Sequence, residues 1–87
     1  MGPQELLTEL LDLAQRLGIE VRRLPLGGAG GGLCLLRDKR ILFVDTTAPT
    51  ADQLARTATA LAQLKGLENC YLLPQVRQIL DACRDIA

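Results

Sequence analysis

The segment Leu33-Cys34-Leu35-Leu36-Arg37-Asp38-Lys39-Arg40-Ile41-Leu42-Phe43-Val44-Asp45 decides the fold of this chain. Two short apolar runs, 33–36 and 41–44, flank four charged residues, the pattern of two strands joined by a polar turn. The turn lacks Asn-Gly or Asp-Gly, which leaves its type open. Neither run alternates. Ile41 and Phe43 point to one face and Leu42 and Val44 to the other, so both faces of this strand want cover.

Residues 19–24 do alternate, with Ile19 and Val21 on one face and Glu20 and Arg22 on the other. This predicts a strand with one wet face, ended by Pro25. Residues 27–32 hold five glycines and Ala29 and read as a flexible connector. Upstream, Leu6, Leu10, Leu13, Ala14 and Leu17 recur at helical spacing over residues 4–17, with Pro3 suited to the first turn and Gly18 to the end. Downstream, Thr50 and Gln53 suggest a capping box opening a helix through Leu54, Ala58, Leu61 and Lys65, closed by Gly66. Residues 68–73 are open to loop or a short fourth strand. Pro74 starts a last helix on Val76, Ile79, Leu80, Cys83 and Ile86. The expectation is one α+β domain over residues 1–87: a helix, a three-stranded antiparallel sheet, then two helices.

Composition narrows the function classes. Ten Lys and Arg balance ten Asp and Glu, and Phe43 and Tyr71 are the only aromatics. No net field draws a nucleic acid, and little is available to stack on its bases. The longest uncharged stretch, 24–36, is 13 residues and Gly-rich, short of the roughly 20 apolar residues of a membrane span. The start Met1-Gly2-Pro3-Gln4-Glu5 lacks the features of a signal peptide, and Leu6 stands where a myristoylation signal has Ser or Thr. A cytoplasmic protein is expected. Cys34, Cys70 and Cys83 are odd in number, widely spaced and set among apolar neighbours, as buried free thiols are. With no His and no Cys-x-x-Cys, no metal site or other cofactor is expected.

Three features invite a chemical reading. The glycine run has neither the Gly-Lys-Ser/Thr of a P-loop nor the Gly-x-Gly-x-x-Gly of a dinucleotide site between strand and helix. Cys34 has no His to make it a thiolate nucleophile. Asp38, Asp45, Thr46 and Thr47 read as turn and cap chemistry rather than a constellation. No catalytic residues are assigned, and an enzyme is not expected.

Leu17-Gly18-Ile19-Glu20-Val21-Arg22, then Leu36-Arg37-Asp38-Lys39-Arg40-Ile41-Leu42-Phe43-Val44-Asp45, then a Pro49-initiated helix with Gln53 and Thr57, resembles the first part of ImmA/IrrE-type zinc metallopeptidase domains, over residues 5–64. The resemblance implies a helix and small antiparallel sheet preceding a helix with His-Glu-x-x-His, two zinc ligands and a general base. That motif would fall on Thr59, Ala60, Leu61, Ala62 and Gln63, where both His and the Glu are missing. A stripped scaffold is what the resemblance implies, with the family's link to repressor cleavage and stress or mobile-element control a pointer to partners.

The leading expectation is a noncatalytic interaction module that associates with itself or another protein through Leu35, Ile41, Leu42, Phe43 and Val44. The alternative is a small regulatory domain holding an anionic ligand with Gly28, Gly30, Gly31, Arg22, Arg23 and Arg37.

Overall fold

The computed structural model describes residues 2–28, 31–64, 67 and 71–86. The order is α1 (Pro3–Arg16), β1 (Glu20–Leu24), β2 (Gly32–Leu36), β3 (Lys39–Asp45), α2 (Thr50–Ala62) and α3 (Pro74–Ile86). The α+β class and the sequence of elements are those expected. Gly66, expected to close α2, lies outside the described residues, as do 68–70 of the segment open to a fourth strand; residues 71–73 carry no strand.

α1 forms because its leucines fall on one stripe: Leu7, Leu10, Leu11, Leu13 and Ala14 are buried while the charged positions face out. Pro3 opens it and Gly18, at φ +80°, follows its last turn. Arg40 from β3 donates to the Leu17 carbonyl at 3.1 Å, supplying a cation where α1 leaves its carbonyls unpaired. α2 starts one residue earlier than a Thr50 capping box requires. Pro49 is its N-cap with no side-chain cap, and Gln53 Nε2 donates instead to the Ala48 carbonyl at 2.8 Å. Pro49 has no N–H to be capped, so the Gln53 amide turns to an acceptor and the box does not form.

The sheet corrects the antiparallel expectation. Its order is β1-β3-β2, with β1 parallel to β3 and β2 antiparallel to β3. β3 takes the centre, with Ile41, Leu42 and Val44 all buried. The chain therefore leaves the end of β1, crosses to the far side, runs down β2 and returns through a tight hairpin between the two edges. That hairpin turns on Arg37 and Asp38, both left-handed at φ 51° and 66°, the geometry whose twist matches paired strands.

All three helices lie on one face. Leu42 and Val44 are 1% and 2% exposed and join the core formed by Leu7, Leu10, Leu61 and Leu80. Val21 and Leu33, their neighbours on β1 and β2, pack against the same core. α2 lies between α1 and α3 and also touches β2 and β3. Ala58, fully buried, allows that close approach. Alternation then sends Glu20, Arg22, Leu24, Cys34, Leu36, Ile41 and Phe43 to the opposite, helix-free face.

Candidate functional site

The glycine run connects β1 to β2, and its described ends are built into the fold. Asp45, at the end of β3, is buried, and its carboxylate accepts from the Leu26 N–H at 2.9 Å, the Gly28 N–H at 2.8 Å and the Thr47 N–H at 3.0 Å. The Thr47 hydroxyl adds a fourth bond at 2.6 Å. Gly27 and Gly28 are both left-handed, φ 66° and 81°, which curls the backbone so that its amides converge on one anion. The Thr47 hydroxyl, opposed by desolvation and helped by the Leu26, Thr47 and Gly28 amides, holds the Asp45 carboxyl down to about 2. At the other end of the run, a Cβ on Gly31 would stand 2.2 Å from the Phe43 carbonyl oxygen. Only glycine lets the chain pass that close to β3.

This knot occupies the Gly28 amide, one of the donors that the anion-binding alternative names. The Leu26 and Gly28 amides point at the chain's own carboxylate, and Gly30 lies outside the described residues. The arginines do not converge either. Arg22 is ion-paired with Glu20 on β1, Arg23 takes the helix-side parity opposite Val44, and Arg37 sits in the hairpin turn, at the end of the sheet away from the glycines. Asp45 and Thr47 thus serve as turn and cap chemistry, as their positions suggest.

The five expected interface residues separate by parity. Leu42 and Val44 are committed to the core, and Ile41, although on the helix-free face, is 3% exposed. Because β3 is central, none of its backbone edge is available. Phe43 is half-buried on the helix-free face, and Leu35 is 73% exposed on the edge strand. Cys34 corrects the buried-thiol expectation: it is exposed, because its strand is an edge and its side chain is on the uncovered face. Cys83 is half-buried and Cys70 lies outside the described residues.

Of the five, the exposed Leu35 belongs to β2. Among the described residues that strand's edge away from β3 is unpaired, and Gly32-Leu33-Cys34-Leu35-Leu36 carries no charge, proline or bulge, the devices that normally guard an edge. A groove borders it on each face. On the helix side, about 580 Å³ lies between Gly31, Gly32 and Leu33 and the Ala55, Thr59 and Ala60 surface of α2. On the other side, about 500 Å³ lies between Gly31, Gly32, Leu26 and Phe43. Phe43 and Leu35 stand out in the sequence as surplus apolar residues; Leu36, 59% exposed, does not, nor do the grooves, which the glycines create by lacking side chains.

Of the positions where the resemblance would set His-Glu-x-x-His, Thr59, Ala60 and Gln63 line the helix-side groove, and Leu61 and Ala62 are buried. Among the described residues no cluster of three Cys, Asp or Glu could hold a metal ion, and no helix is long and apolar enough to cross a membrane. No family model, curated protein or solved structure matches the chain.

Proposed function

We propose that this chain is a noncatalytic protein–protein interaction module of the cytoplasm that associates with copies of itself. The observation that carries the reading is the undefended β2 edge, whose exposed Leu35 and Leu36 share a strand with Gly32 and Leu33, which line an open groove on each face. Exposed leucines at a free strand edge invite pairing with another chain. The small aliphatic core adds a reason: a domain of this size buries a modest share of its surface alone. An exposed free thiol at Cys34 suits a reducing compartment, and balanced charge argues against a nucleic-acid partner.

The stripped-scaffold reading fits the same site. Thr59, Ala60 and Gln63 line the groove, but Thr, Ala and Gln supply neither zinc ligands nor a general base. The groove is then a place for side chains rather than for hydrolysis. Co-expression of two differently tagged copies tests the proposal: capture of one tag should recover the other. Recovery of only the captured copy, with a different protein held in stoichiometric amount, would replace self-association by an adaptor role.

A further inference from the structure

Resting on the self-association reading, we infer that a second copy joins by antiparallel pairing of β2 with β2, about a two-fold axis at Cys34. The hairpin fixes which backbone groups face the free edge. In a two-residue turn the flanking residues, Leu36 and Lys39, exchange hydrogen bonds. Alternation along the ladder gives Cys34 opposite Ile41 and Gly32 opposite Phe43 the same role. Leu33 and Leu35 therefore aim their N–H and C=O groups away from β3, along the free edge.

Centring the axis on Cys34 sets Leu33 of each copy against Leu35 of the other, so all outward groups of both residues are paired. An axis on Leu35 would pair Leu35 with itself and bring Leu33 against Arg37 in the turn, losing half of those bonds. The Cys34 axis also places Gly32 against the other copy's Leu36. No charged residue falls within the paired stretch, so no like charges meet.

The side chains agree with the backbone. Leu35 has the helix-side parity and would enter the other copy's groove beside Leu33, Ala55 and Ala60. Leu36 has the opposite parity and would lie over the other copy's Gly32, against Phe43. Each exposed leucine thus meets the groove on its own face, and the product is a continuous six-stranded sheet with all helices on one side. The two Cys34 side chains would form a non-hydrogen-bonded pair with Cα atoms about 4.5 Å apart, within the span that a disulfide bridges.

Cross-linking tests this register. Excess oxidised glutathione, which accepts the two electrons and two protons of the thiol pair, should convert the wild type to a covalent dimer whose linked peptide is Cys34 to Cys34. Cys34→Ser should abolish that product. Leu35→Pro removes an outward N–H without touching the bonds to β3, so the variant should keep its helical circular dichroism and associate at least tenfold more weakly. Should it lose that signal, Leu35→Lys, which sends a charge into the groove, reads the same contact. A wild-type dimer that forms no Cys34 link and is indifferent to both Leu35 variants overturns the edge pairing while leaving self-association standing. A wild type that is monomeric throughout removes both.

Discussion

Replacing Leu42 by Asp and, separately, Phe43 by Asp puts the same charge on opposite faces of β3, one residue apart. Leu42 is 1% exposed against the helices. A carboxyl there must be protonated to stay inside at pH 7, which costs about 4 kcal/mol, three pKa units at about 1.4 kcal/mol each. Loss of the buried leucine adds roughly 2–3 kcal/mol. The sum, about 6–7 kcal/mol, exceeds the lower part of the range of about 4–13 kcal/mol for an 87-residue domain, and a thin aliphatic core places this chain there. Leu42→Asp should therefore lose its helical signal at pH 7. Its folded-state pKa would be raised, so the variant should recover part of its structure as the pH falls towards the unfolded pKa near 4. Phe43 is half-buried on the helix-free face, and its ladder neighbour is Arg22. A carboxylate there stays hydrated beside a cation, and the loss is limited to partial burial of the ring, about 1–2 kcal/mol. Phe43→Asp should stay folded and associate less tightly. Circular dichroism and thermal melting of the two proteins decide it: equal melting temperatures, or the reverse order, would refute the placement of the helices on the Leu42 face.

Three further outcomes follow from the loop and the turn. Gly31→Ala drives a methyl to 2.2 Å from the Phe43 carbonyl oxygen and should cost about 1–3 kcal/mol, a drop in Tm on the order of 5–20 °C; an unchanged Tm would mean that the loop passes elsewhere. The Asp45 pKa of about 2 lies below its unfolded value near 3.9, so its contribution is full above about pH 4 and fades as the pH falls towards 2. Asp45→Asn should accordingly melt below the wild type at pH 7, and the gap should close in acid; a gap constant from pH 7 to pH 2.5 would contradict the knot. Arg37→Asn with Asp38→Gly relieves two left-handed residues and should raise stability by about 0.5–1 kcal/mol, a gain that chemical denaturation would detect and that a loss of stability would negate.

The helices were legible because a helix is a local structure: the leucine stripe of α1 and the Val76, Leu80 stripe of α3 specify the buried face whatever they pack on. Strand order is not local. Alternation in residues 19–24 indicates a wet face but not a neighbour, and because 33–36 and 41–44 are alike apolar on both faces, neither run is marked as the central strand. The same limit hid Cys34, whose apolar neighbours in sequence suggest burial while its edge position exposes it. Asp45 looked like a lone turn carboxylate because its partners Leu26 and Gly28 are 19 and 17 residues away in sequence. For α2, Pro49 and Thr50 offered competing start signals, and the missing proline N–H settled between them. The interaction surface was half legible. Leu35 and Phe43 could be named as surplus apolar residues, whereas the grooves depend on glycines whose value is the side chain they lack.

Self-association is decided by sedimentation equilibrium of the reduced wild type over a wide concentration range. Reversible growth from 9.4 kDa towards about 19 kDa, the mass of two chains, is the predicted result. A constant 9.4 kDa up to about millimolar protein would contradict it.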